Sequence, residues 1–274
     1  MARSCSKLFA ARCVDTTLSP QHGDIDQLIV RAFARDGFVV VRGLCDALLR
    51  EQICAQVLDH LDPLLGPAEF EADVGYPGSP SNRAAGGGET PRRLLHAFAR
   101  DVAFRRWCTG PELRSHLRTL FGRNDVLMSQ SHHNCVMTKH PGYSSATLWH
   151  QDIRYWSFDR PELISVWLAL GEENERNGAL KIIAGSHAMD IDRGRLDKDL
   201  FLRPELGDNA ALIEQARGVE LDPGDAMFFH CRVFHAAGKN LTNEVKLSFV
   251  TTYHSADNQP IPDTRSARYP SVRL

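Results

Sequence analysis

Two histidines and one aspartate restrict most strongly what this chain can fold into: His150-Gln151-Asp152, with His235 following 83 residues after Asp152. Two imidazoles and a carboxylate on one face of an octahedral ferrous ion leave the opposite face open, the arrangement of non-haem Fe(II) oxygenases. Such a set needs a fold that carries distant segments to one point. The residues around the first pair, Thr147-Leu148-Trp149-His150-Gln151-Asp152-Ile153-Arg154-Tyr155-Trp156, are aromatic and β-branched with period-2 character, which predicts a strand. Positions i and i+2 of a strand share a face, so His150 and Asp152 reach one ion together, and Arg154 shares that face. The distal histidine ends the stretch Leu221 to His235, where a Pro223-Gly224-Asp225 turn feeds an apolar strand. A zinc motif with two histidines four apart on a helix is a different geometry. Among 12 histidines a lone His-X-Asp is a weak pattern, and its strand context gives it weight.

Further blocks occur in a fixed order. They are Phe33-Ala34-Arg35-Asp36-Gly37-Phe38-Val39-Val40-Val41-Arg42-Gly43-Leu44, Lys139-His140-Pro141-Gly142, the His150 triplet, Asn177-Gly178-Ala179-Leu180-Lys181-Ile182-Ile183-Ala184-Gly185-Ser186-His187, Pro223-Gly224-Asp225, and His235-Ala236-Ala237-Gly238-Lys239-Asn240. In this pattern, over residues 28–253, the chain resembles the phytanoyl-CoA dioxygenase family of 2-oxoglutarate-dependent oxygenases. The resemblance implies a mainly β fold with flanking helices, built on a double-stranded β-helix (jelly-roll, cupin-like) core. It also implies Fe(II) on His150, Asp152 and His235, 2-oxoglutarate as co-substrate, and O2. The implied reaction is hydroxylation of a small organic substrate with release of succinate and CO2. Ring formation, epimerisation and desaturation use the same kind of site. Asp152 argues against halogenation, because halogenases of the superfamily put a small residue at that position.

The resemblance also assigns the co-substrate end, with departures. The family places an arginine eleven residues after the distal histidine, where this chain has Lys246. Lysine offers a point charge in place of a planar fork, so weaker 2-oxoglutarate binding is expected. Ala237 stands where the family often has a serine. Trp167 and Cys135 match positions lining the co-substrate, and Thr147 offers a hydroxyl three residues before His150. The structural alternatives are a surface lysine on an edge strand for Lys246, and ordinary core or strand packing for Trp167, Cys135 and Thr147. Arg154 and Trp156 fall towards the barrel mouth as substrate contacts; otherwise Arg154 pairs with Asp159 or Glu162.

At 274 residues, 43% hydrophobic and 24% charged, the chain can bury one sizeable core, here read as a single catalytic domain. Within it, 1–20 is a tail, 24–122 a mostly helical part with loop 75–92, 125–254 the jelly roll, and 255–274 a C-terminal tail. Helical spacing marks 24–36, 46–62 and 98–122, the last with Phe98, Val102, Trp107, Leu113, Leu117 and Phe121 facing the core. Loop 75–92, rich in Gly and Pro, is either a lid or a surface loop. A net charge of −2 points to neither nucleic acid nor an anionic membrane, and no apolar run approaches bilayer-spanning length. The resemblance implies a small-molecule substrate as the partner. Seven scattered cysteines without a CxxC pair suit a reducing cytoplasm. Arg3, Lys7 and Arg12, with no acid in 1–14, weakly resemble a mitochondrial targeting segment. Two other classes remain open to the sequence: a cupin-like metalloenzyme that does not use 2-oxoglutarate, and a non-catalytic jelly-roll binding protein.

Overall fold

Strand alternation sorts the apolar residues of this chain into two layers. The computed structural model describes residues 22–274, so the basic stretch around Arg3, Lys7 and Arg12 lies outside the described residues. In order come α1 (His22–Asp36), β1 (Phe38–Val41), α2 (Ala47–Leu61), β2 (Ala68–Phe70), β3 (Pro91–Leu95), α3 (Ala97–Arg100), α4 (Val102–Cys108) and α5 (Pro111–Phe121). Then follow β4 (Val126–Ser129), β5 (Cys135–Lys139), β6 (Thr147–His150), β7 (Leu163–Ala169), β8 (Leu180–Ile182), α6 (Gly207–Ile213), β9 (Arg217–Gly218), β10 (Ala226–His230), β11 (His235–Ala237), β12 (Lys246–Ser255) and β13 (Val272–Arg273).

The larger sheet runs β1-β10-β7-β12-β5-β3-β2, with β4 on β12 and β13 on β4; the smaller runs β6-β11-β8-β9. Every strand pair is antiparallel, as a jelly roll requires. The helical N-terminal part thus lends three strands to the larger sheet. On β1, Val39 and Val41 face the helices, packing with Ile53, Phe104, Leu117, Phe228 and Phe249. Phe38 and Val40 face the other way, into the space between the sheets, with Trp167, Ile182, Met227 and Val250. The same period puts Ser165 and Trp167 of β7, and Lys246, Ser248 and Val250 of β12, on the inner face.

Two expectations fail for identifiable reasons. The stretch 98–122 forms three helices, because Asp101 caps a new one by accepting from the Ala103 amide at 2.8 Å. That restart changes the helical phase, and Val102 is 56% exposed. The strand expected through Trp156 ends at His150, and Asp152–Tyr155 is a 3-10 turn in which the Ile153 amide donates to the Cys231 carbonyl. Among the described residues no helix is long and apolar enough to cross a membrane.

Candidate active site

β6 and β11 pair so that His150 lies directly opposite His235. Each ring is held from behind: His150 Nδ1 donates to the Leu148 carbonyl at 2.8 Å, and His235 Nδ1 to the Val233 carbonyl at 3.1 Å. A ring whose Nδ1 carries the proton presents a bare Nε2 lone pair, the form that ligates metals. The turn after β6 brings Asp152 under both rings, with Oδ1 3.7 Å from His150 Nε2 and 3.6 Å from His235 Nε2. Asp152 therefore reaches its place by a tight turn, and the shared strand face expected for it and Arg154 does not exist. The ligand atoms of the three residues all lie within 4.8 Å of one another.

Asp152 Oδ1 is buried and has no hydrogen-bond partner among the described residues. Its other oxygen accepts from Ser165 Oγ at 3.1 Å and lies 3.5 Å from His133 Nδ1. A buried acceptor costs free energy when unsatisfied, so an orphan oxygen facing two bare imidazole nitrogens fits a cation. Burial alone raises the Asp152 carboxyl, but His133, His235 and His150 outweigh it and hold it below its usual range. Burial, helped by His235, pushes His150 down to about 3, so its ring is neutral and ready to ligate. Fe(II) fits this donor set of two nitrogens and one oxygen.

Two spaces meet at the triad. A cavity of about 700 Å3 opens on one side, lined by Tyr76, Arg154, Tyr155, Trp156, Phe201 and Arg265 among others. The Arg154 guanidinium lies 3.6 Å from the Phe201 ring centre and 4.4 Å from that of Tyr155. Its Nη1 is buried without a hydrogen-bond partner among the described residues. Trp156 is buried against Phe158, Leu163 and Cys231 while one edge lines the cavity. From loop 75–92, Gly75 and Tyr76 reach this cavity, and the Tyr76 ring meets that of Phe201 at 5.8 Å. The 255–274 segment also contributes, through Arg265, Arg268 and Tyr269.

The second space is a narrower recess lined by Arg92, Arg93, Lys139, Thr147, Trp167 and Lys246 among others. Lys246 is buried on a central strand, paired on both sides by β5 and β7. Its Nζ donates to Glu173 Oε2 at 3.0 Å and to Ser248 Oγ at 2.9 Å. Trp167 Nε1 donates to Glu173 Oε1 at 2.9 Å. Thr147 Oγ1 accepts from Arg92 Nη2 at 3.0 Å. Cys135 is buried on the wall of the wider cavity, and burial raises its thiol to about 11, so it stays protonated. Ser165, Glu173, Arg92 and Arg93 escape a reading of the sequence, and Lys139 appears in it only as part of a block, without a role. Strand register brings Ser165, Arg92, Arg93 and Lys139 here, while Glu173 sits in a Gly171-Glu172-Glu173-Asn174 run that reads as a surface turn and bridges to Leu221.

A jelly roll carrying a buried two-histidine, one-carboxylate face defines the architecture and donor set of the non-haem iron oxygenases. The phytanoyl-CoA dioxygenase (PhyH) family profile matches residues 33–248, and the chain belongs to that family. It is 26% identical over 171 residues to human peroxisomal phytanoyl-CoA dioxygenase, covering 58% of this chain and 48% of that protein. It is 25% identical over 245 residues to the ectoine dioxygenase of Sphingopyxis alaskensis, covering 83% and 75%. The chain thus spans about half the length of the phytanoyl-CoA dioxygenases it matches. Among solved structures, the epimerase SnoN in complex with Fe3+, alpha ketoglutarate and nogalamycin RO superposes with a TM-score of 0.69 at 21% identity, covering 88% of this chain and 87% of that one. EctD from S. alaskensis with 2-oxoglutarate and 5-hydroxyectoine gives 0.67 at 19% identity, covering 87% and 82%. These likenesses agree with the jelly-roll fold.

Proposed function

We propose that the protein is an Fe(II)- and 2-oxoglutarate-dependent dioxygenase that hydroxylates an unactivated C–H bond of a small organic substrate. The observation that carries this reading is the orphan Asp152 Oδ1 between two Nε2 atoms whose rings are fixed from behind. Iron(II) held there, with 2-oxoglutarate and O2, supplies the oxidising power, and succinate and CO2 are released. His150, Asp152 and His235 are the metal ligands. Ser165 orients Asp152 through its 3.1 Å bond, as outer partners of metal ligands commonly do.

The recess is the co-substrate end, walled by Lys246, Trp167 and Thr147, while Cys135 lies on the wall of the wider cavity. The wider cavity takes the substrate. Arg154, which lines it, holds an acidic substrate group, while Trp156 supplies a flat wall. Tyr76, from loop 75–92, and Phe201 cover the mouth and keep bulk water from the triad. The scattered cysteines, unpaired among the described residues, support a reducing cytoplasm as its location.

The test is conversion of 2-oxoglutarate to succinate by the full chain, with Fe(II) and O2, against a panel of acidic small molecules. Turnover that requires iron and is lost in Asp152→Ala supports the reading. Stoichiometric iron without any keto-acid consumption contradicts it and favours a jelly-roll metalloenzyme of another kind.

A further inference from the structure

Three of the four cations around the recess face an acid. Arg92 faces Glu71 at 3.2 Å, Arg93 faces Glu69 at 3.4 Å, and Lys246 faces Glu173 at 3.0 Å. The fourth cation, Lys139, has no acid within bonding distance among the described residues. Its Nζ donates to two backbone carbonyls, those of Ser145 at 2.9 Å and Gly238 at 2.6 Å. An ammonium has three N–H donors, so one is left over. Lys139 and Lys246 are directly opposite each other on β5 and β12, both are buried, and both line the recess.

Lys246 stands where the distal carboxylate of 2-oxoglutarate is expected, yet Glu173 already occupies it. That carboxylate is locked in place: Oε1 accepts from Trp167 Nε1 and from Ser248 Oγ at 2.5 Å, and Oε2 from Lys246. A second carboxylate arriving at Lys246 alone would meet the charge of Glu173 in a buried setting, where repulsion is poorly screened. The uncompensated charge is next door. Burial, then Arg92 and Lys246, push the Lys139 ammonium down to about 7, and an incoming anion would reverse that pressure.

We propose that Lys139 supplies the positive charge that receives the distal carboxylate of 2-oxoglutarate, and that Glu173 converts Lys246 into a neutral wall of the same recess. The inference rests on the functional reading above and deepens it. The recess then selects a dicarboxylic keto acid, because only a second carboxylate neutralises Lys139. Lys139 binds co-substrate, and Glu173 is a positioning residue acting through Lys246.

The experiment is anaerobic calorimetric titration of the Fe(II)-loaded full chain with 2-oxoglutarate and with 2-oxobutyrate, which has the same chelating end and no distal carboxylate. The wild type should prefer 2-oxoglutarate by about tenfold or more, and Lys139→Met should remove most of that preference. Glu173→Gln in the Lys139→Met background should restore it, because Lys246 is released to act as the cation. Glu173→Gln alone keeps every recess lysine in place and should tighten 2-oxoglutarate by about tenfold with 2-oxobutyrate unchanged, a readout that does not depend on how Lys139→Met folds. Retention of the preference in Lys139→Met overturns the proposal. So does Glu173→Gln with unchanged or weaker 2-oxoglutarate binding. A wild type that binds both keto acids equally overturns this proposal only, whereas one that binds iron and neither keto acid overturns the functional reading with it.

Discussion

His150 and His235 face each other across one antiparallel strand pair, their ring centres 4.3 Å apart. The register of β6 on β11 therefore sets the spacing of the two proposed metal-ligating imidazoles. A slip of one residue would turn one imidazole out of the site. The register also shifts between His235 and Ala237, so the bulge falls beyond the ligand pair.

Ser165 is the outer support of the third ligand. Ser165→Ala is expected to lower iron affinity by about 10–100-fold, the range for losing an outer partner of a ligand. Competition with a chelator measures it. An unchanged affinity would show that Asp152 is oriented by other contacts.

Gly37 adopts φ +78°, and a Cβ there would lie 2.4 Å from His187 Nδ1 and 2.5 Å from Val233 Cγ2. Gly37→Ala combines backbone strain with a clash on the residue whose carbonyl anchors His235. A stability loss above about 1 kcal/mol is expected, with weaker iron binding alongside. Urea unfolding and metal titration on the same sample test both effects.

Phe104 joins the helices to the larger sheet through an edge-on contact with Phe249, ring centres 5.3 Å apart. Phe104→Ala is expected to cost about 3–5 kcal/mol in urea unfolding. The folded fraction should keep its iron affinity, because Phe104 belongs to the layer away from the site.

Burial, reinforced by His187 and Arg232, lowers His230 to about 4. Its Nδ1 accepts from the Arg232 amide at 3.1 Å, a bond a protonated ring cannot make. The folded pKa lies below the ordinary histidine value of about 6.5, so the unfolded chain binds the extra proton first as pH falls. This stabilisation is complete above pH ~6.5 and declines down to pH ~4. Melting temperatures between these limits should fall with pH, and His230→Gln should flatten the dependence.

The legible part of the site was the part written in local order. His150, Asp152 and His235 stand out because spacing and flanking residues mark them. The turn at Asp152 was hidden, since its sequence is as β-prone as the strand before it, and backbone bonds such as Ile153–Cys231 and Trp156–Ile153 form only in the fold. Glu173 and Lys139 were hidden differently. Each looks like a solvated charge until the fold sets it against Lys246, Lys139 by strand register and Glu173 by a buried ion pair. Arg265, Arg268 and Tyr269 join the cavity because β13 pairs with β4 and folds the last residues back over it.

The central claim is that His150, Asp152 and His235 hold iron to which 2-oxoglutarate binds. Anaerobic titration of 2-oxoglutarate into Fe(II)-loaded protein, followed in the visible, tests it most directly. A weak metal-to-ligand charge-transfer band that saturates with 2-oxoglutarate and is absent from Asp152→Ala is the predicted result. Stoichiometric iron with no such band at any 2-oxoglutarate concentration would contradict it.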